Sequence, residues 1–361
     1  MKTLVVTAVG TLGRTLFSPR RLMNTPYDLL YRLIEHGPYK YPFVVNELLQ
    51  IFEETTYKLS EDASLLEISS GLITVFGDLR GRYVDLHRWL QLTGWPPRNR
   101  LLFVGGMVDN DEPGSIETIA LICALKCHFP KHVFMLRGIP EATPFETKNR
   151  FSTLLSRSIQ SSLNRVFAQL PYAAIIDQSI LAVYSGFSPM VREKAHIRQL
   201  FRPVPIENMT RIENHFIYNQ PSNFVKMYRP NDKGRGDLYG KRAVKRACKS
   251  CQVYTIIRGH SSVPYGYLPM WRNRLITLWS APGFGTEYAA VLSISETRQI
   301  TPIVMQNRKS DDTTVIQKFD RSVREVTTSG TETVKQKRDA ERITDKMIDP
   351  FILQDQHILP Q

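Results

Sequence analysis

Apolar residues change their spacing along this chain. In the first part they recur three and four apart: Leu29, Leu30, Leu33 and Ile34, then Leu48, Leu49 and Phe52. That period predicts two helices. One is opened by Thr25-Pro26 and closed near Gly37, and the other covers residues 44–57. After residue 70 the pattern turns into short apolar runs, at residues 72–76, 101–104, 133–136, 180–184, 254–257, 275–279 and 291–294. Runs of that length, bounded by turn residues, predict strands buried on both faces. Helical spacing returns between the early runs, over residues 84–92, 116–128 and about 163–170. Helix alternating with strand, then strands in succession, predicts a layered α/β fold.

Several runs end in polar or glycine-rich turns. These are Gly77-Asp78-Leu79-Arg80-Gly81, Gly105-Gly106-Met107-Val108-Asp109, Arg137-Gly138-Ile139-Pro140-Glu141, Ser185-Gly186 and Arg258-Gly259-His260. The carboxyl ends of strands are where α/β folds bind ligands. Five such turns gathered at one edge would make a single site.

Composition narrows the class without choosing a function. The 361 residues suffice for one large domain or two ordinary ones, and 42% hydrophobic with 10% aromatic content excludes a wholly disordered chain. No apolar run approaches the roughly 20 residues of a membrane-spanning helix. Four cysteines argue against a disulfide scaffold and for a reducing compartment, cytoplasmic or nuclear. Residues 1–25 carry Lys2, Arg14, Arg20 and Arg21 and no acid, which reads as a basic disordered arm or, alternatively, a mitochondrial import segment. Residues 306–361 mix charges with few apolar positions and read as a mostly disordered tail. The folded domain is therefore expected over 26–305. The net charge of +13 points to a phosphate, nucleic-acid or acidic partner, or to a basic surface alone.

The turns, in their order and spacing, resemble the PPP family of serine/threonine protein phosphatases, nearest its type 1 branch. Gly77-Asp78-Leu79-Arg80-Gly81 stands where the family has Gly-Asp-x-His-Gly. Trp95-Pro96-Pro97 resembles Phe-Pro-Pro, and residues 101–109 resemble the run ending in Gly-Asp-x-Val-Asp-Arg-Gly. Leu136-Arg137-Gly138-Ile139-Pro140-Glu141 stands at Leu-Arg-Gly-Asn-His-Glu. Arg258-Gly259-His260 resembles Arg-Ala-His, and Ser280-Ala281-Pro282 resembles the start of Ser-Ala-Pro-Asn-Tyr. The resemblance implies a calcineurin-like metallophosphoesterase fold, a β-sandwich flanked by helices. It also implies two divalent metals (Mn, Fe or Zn) about 3.5–4 Å apart, activating a water for attack on phosphorus.

Carried over position by position, the family's machinery is mostly absent. Asp78 and His260 remain of six expected metal ligands. Arg80 replaces a histidine ligand, Gly106 the bridging aspartate, Ile139 the asparagine and Tyr184 another histidine. Pro140 replaces the catalytic acid, although Asp109, which would orient that acid, is kept. Phe284 replaces the tyrosine of the last loop. Asp111, Glu112 and Glu141 lie near enough in sequence to be weighed as substitute ligands. At most one weakly held metal is expected.

Phosphate binding could outlast catalysis. Arg137 matches a phosphate-clamping arginine, Lys233 stands where a second is usual, and Arg80 could add a third cation. Alternatively Arg80 pairs with Asp78 and fills the vacated volume. Cys123 with Cys127, and Cys248 with Cys251, have pair spacing, but no second matching Cys-x-x-Cys makes a zinc site. Residues 226–246 form a basic stretch with four cations at helical spacing: Lys241, Arg242, Lys245 and Arg246. A solvated basic face is the plain reading of it. The expectation is a binding or regulatory pseudophosphatase with phosphoprotein or regulatory-subunit partners. The alternatives are a weakly active metal-dependent phosphatase and a nucleic-acid-associated protein.

Overall fold

The computed structural model describes residues 26–109, 111–143, 156–232 and 234–307. The expected arm, all but the first two residues of the expected tail, and Lys233 lie outside them. Two helices open the fold, α1 (Pro26–His36) and α2 (Val45–Ser60). Then come β1 (Leu65–Ile68), β2 (Ile73–Phe76), α3 (Tyr83–Thr93), β3 (Arg100–Phe103), α4 (Ser115–His128) and β4 (Val133–Met135). The middle of the chain forms α5 (Arg157–Gln169), β5 (Ala173–Ile176), β6 (Ile180–Val183), α6 (Lys194–Arg198) and α7 (Arg211–Tyr218). A small sheet follows, β7 (Gln220–Pro221), β8 (Tyr228–Pro230) and β9 (Asp237–Tyr239), and then α8 (Lys241–Ser250). The chain closes with β10 (Thr255–Arg258), β11 (Tyr267–Met270), β12 (Leu275–Leu278), β13 (Tyr288–Ile294) and β14 (Ile300–Gln306).

Two sheets form a sandwich. One has the order β1-β5-β6-β10-β12-β11, the other β14-β13-β2-β3-β4. Strand alternation explains the continuous apolar runs. On β2, Ile73 and Val75 join β13's Ala290 and Leu292 between the sheets, where they meet Ala182, Ile257 and Leu278 of the facing sheet. Phe76, Phe103 and Val291 point the other way, into a layer with α1 to α5. On the opposite outer face Val183, Ile256 and Leu275 pack against Phe216 of α7 and Val244 of α8. Each sheet is therefore covered on both faces, as the resemblance implied.

α4 lies in the middle of its layer and is buried almost all round. Its lone interior cation, Lys126, pairs with Asp62 at 2.7 Å.

Candidate functional site

Five strands deliver the expected turns to one edge. β2 runs into Gly77-Asp78, β3 towards Gly106, β4 towards Gly138, β6 into Tyr184 and β10 into Gly259-His260. β2, β3 and β4 are parallel neighbours, as are β6 and β10. A bridge between Asp78 and Trp279 ties the two sheets together at this edge.

Asp78 is the centre of the cluster and is fully buried. Its Oδ1 accepts a hydrogen bond from the Tyr184 hydroxyl at 3.0 Å, and its Oδ2 accepts one from the His260 backbone N–H at 2.6 Å. Arg80 approaches from the open side. Its Nε lies 3.9 Å from Asp78 Oδ1, while its Nη1 donates to Asp109 Oδ2 at 2.9 Å. The guanidinium covers the rings of Phe284 and Trp279, 4.9 and 5.6 Å from their centroids. Arg80 thus bonds Asp109 more closely than Asp78, and the aspartate that would orient a catalytic acid holds an arginine instead.

Burial pushes the Asp78 carboxyl up from its ordinary range, while the Arg80 cation and the two hydrogen bonds oppose that rise. Burial, helped by the Asp78 charge, pushes the Tyr184 phenol far up, so it stays a donor. Burial and the Arg258 and Arg80 cations push His260 well down, leaving a neutral ring. Its Nε2 lies 3.0 Å from the side-chain amide nitrogen of Gln220.

Glu141 fastens the turns from beneath. Its Oε2 accepts from the N–H groups of Gly106 and Gly138 at 3.0 and 2.9 Å, and its Oε1 from Met107 N–H at 2.8 Å. Burial pushes this carboxyl up as well, and the backbone donors oppose it.

Gly106 has a φ of +67°, a conformation that side chains rarely adopt. A Cβ there would stand 2.5 Å from Asp78 Cγ. Asp78 therefore occupies the space that a bridging carboxylate at position 106 would enter.

Two divalent metals do not fit this donor set. Both oxygens of Asp78 already accept from protein donors, and a permanent cation stands beside them. The substitutes weighed from sequence do not join them. Asp111 is exposed, Glu112 lines a different cavity beside Tyr83, and Glu141 is engaged by three backbone N–H groups. Among the described residues, no three His, Cys, Asp or Glu side chains are gathered to hold a metal ion.

Arg137 corrects an expectation. It is 1% exposed, and its Nη1 donates to the carbonyl of Val204 at 2.6 Å and to the Tyr172 hydroxyl at 3.2 Å. Its Nε donates to the carbonyl of Glu141 at 3.3 Å. A guanidinium held inside the fold this way is not presented to a phosphate. Ile139 packs into the apolar layer with Tyr172, Pro140 opens a single 3-10 turn, and Phe284 leans on Trp279 at 6.0 Å. The four thiols are free, buried and in two separate layers, Cys123 and Cys127 in one and Cys248 and Cys251 in the other. Gln220, Trp279 and the latching role of Glu141 were not read from sequence. Gln220 carries no motif, and Glu141 looked like a ligand because only its charge was visible.

Comparison with known proteins agrees with this architecture. The calcineurin-like phosphoesterase family profile matches residues 71–264. The PP2A-like serine/threonine-protein phosphatase PPG1 of Candida albicans is 29% identical over 265 residues, 71% of this chain and 62% of the relative. The matched region thus spans less than two thirds of that protein. A solved serine/threonine phosphatase from Saccharomyces cerevisiae, described as similar to human phosphatase PP5, superposes with a TM-score of 0.70 at 18% identity. The match covers 80% of this chain and 98% of that one. A cold-active protein tyrosine phosphatase superposes with a TM-score of 0.51 at 13% identity, over 68% of this chain and 80% of its own. These two likenesses speak for the fold. No helix among the described residues is long and apolar enough to cross a membrane.

Proposed function

This chain belongs to the calcineurin-like phosphoesterase family, and on that premise we propose a serine/threonine phosphatase homologue that has lost the two-metal reaction and acts by binding proteins. One observation carries the reading. The bridging carboxylate is replaced by Gly106, and Asp78, bonded to Tyr184 and His260, fills the space beside it. In-line attack needs an activated water and an acid for the leaving oxygen. The position of that acid holds Pro140, which has no proton to give.

The positions of two of the expected phosphate cations favour protein-surface binding over a phosphoserine-reading pocket: Arg137 is turned inward and Arg80 is bonded to Asp109. What the chain keeps from its relatives is the sandwich and its helical layers, a scaffold on which regulatory proteins can dock.

The test is metal analysis of the purified chain together with phosphate release from a phosphopeptide in added manganese. The expected result is no stoichiometric metal and no release. Release that disappears on Asp78→Asn would establish the weakly active phosphatase instead. Phosphopeptide retention in chelator, lost on Arg80→Ala, would restore the phosphate-reading pocket.

A further inference from the structure

The basic stretch read from sequence becomes a defined surface. α8 buries Ala243, Val244, Ala247 and Cys248 and exposes Lys241, Arg242, Lys245, Arg246 and Lys249. That spacing puts the five cations on the outer side of one helix. The segment before it is drawn close by Gly240, where a Cβ would overlap the Val225 carbonyl. Gly240 N–H donates to the Met227 carbonyl at 2.8 Å and Arg242 N–H to the Lys226 carbonyl at 3.0 Å. Lys226 is thereby set beside the first turn of α8.

Lys226, Lys241 and Arg242 line a cleft of about 510 Å³ with Phe224 and Trp271. Phe224 is 80% exposed and stands beside Trp271 and the three cations of this cleft, so apolar and basic groups face solvent together there. Trp271 is steadied by its Nε1, which donates to Asn223 Oδ1 at 3.1 Å. The nearby acids are engaged elsewhere, Asp232 by Arg229 at 2.7 Å and Asp237 by His215 at 3.3 Å. Among the described residues, no salt bridge involves Lys226 or the five cations of α8.

We infer that this cleft and helix face dock an acidic peptide segment of a protein partner. Its carboxylates lie along the cations of α8, and one apolar side chain inserts beside Phe224 and Trp271. Charge complementarity supplies the attraction, and the apolar insertion fixes the register. Nucleic acid fits less well. Stacking of successive bases needs a row of exposed rings, and this cleft exposes Phe224 with Trp271 only half-exposed. The inference rests on the reading that this chain acts by binding, and it names the partner's chemistry.

The probe is a fluorescein-labelled peptide of about a dozen Glu and Asp residues around a central Leu-Phe, without phosphate, added to the full chain and followed by anisotropy. Binding is expected, and Lys241→Glu combined with Arg242→Glu should weaken it about tenfold or more. Phe224→Ala should weaken it by about threefold to tenfold. A control pair of equal charge change on exposed positions elsewhere, Arg98→Glu with Lys131→Glu, should leave it within about twofold. Far-ultraviolet spectra and melting curves verify that each variant is folded. No binding, or equal weakening by the control pair, would overturn the inference. So would an oligothymidine that binds more tightly than the peptide and is lost in the same variants, which would assign the surface to nucleic acid. Because the peptide carries no phosphate and α8 lies outside the Asp78 cluster, phosphatase activity in the wild type would sink the proposed function without touching this result.

Discussion

The Asp78 cluster and the α8 face both carry basic side chains, and they handle that charge in opposite ways. At the strand ends the added cation, Arg80, is bonded to Asp109, held near Asp78 and roofed by Phe284 and Trp279. On α8 the cations are exposed, and among the described residues none of them is in a salt bridge. Buried charge that is matched and hydrogen-bonded contributes to holding turns in place, and removing one partner is costly. Exposed like charge on a helix contributes nothing to the fold and slightly opposes it. The comparison separates a site turned inward from one turned outward.

The largest expected effect tests the inward site. Gly106→Asp would force a side chain into a left-handed backbone conformation and against the Asp78 carboxylate. A loss of about 4 kcal/mol, or failure to fold, is expected in urea unfolding. Manganese should not restore it; if manganese rescues both stability and phosphate release, the inward site is a metal centre after all. Tyr184→Phe comes next. It leaves Asp78 Oδ1 without its hydroxyl donor in a buried place, and about 2 kcal/mol should be lost. A loss below about 0.5 kcal/mol would mean that the hydroxyl is not holding the carboxylate.

The outward site should respond weakly and with the opposite sign. Lys245 stands four residues from both Lys241 and Lys249, so Lys245→Glu converts two repulsive pairs into attractive ones. A gain of about 0.5 kcal/mol is expected, fading as salt is raised. A loss instead would show that Lys245 has a structural partner. The smallest expected effect is none: a chelator should not move the melting temperature, since the donors around Asp78 are hydrogen bonds.

Most of the fold was legible because buried strands and amphipathic helices leave different periods. The sequence pattern missed β1, β5, β7, β8, β9, β11 and β14, and for three of them the reason is physical. β11 carries Pro269 and β14 carries Pro302, and both are edge strands, where a missing N–H is tolerated but the sequence stops looking like a strand. β1 is only four residues long and is broken by exposed Glu67. Within the site, identity was legible and direction was not. That Gly106, Ile139 and Tyr184 stand where the resemblance implies ligands could be read residue by residue, because it depends only on what chemistry a side chain has. Arg137 could not be placed, because whether a guanidinium faces a pocket or the interior is decided by Tyr172 and Val204, far along the chain. Tyr184, expected as the replacement of a histidine ligand, packs against the His260 ring and also caps a carboxylate.

The geometry at Gly106 makes the substitutions around it interdependent. A Cβ at position 106 would stand 2.5 Å from Asp78 Cγ, and that carboxyl accepts from the Tyr184 hydroxyl and the His260 N–H with Arg80 beside it. Positions 78, 106 and 184 are therefore coupled: a carboxylate at 106 needs Asp78 to shift, and Asp78 can shift only if Tyr184 releases it. Substitutions made singly at these positions are expected to cost more than the same substitutions made together.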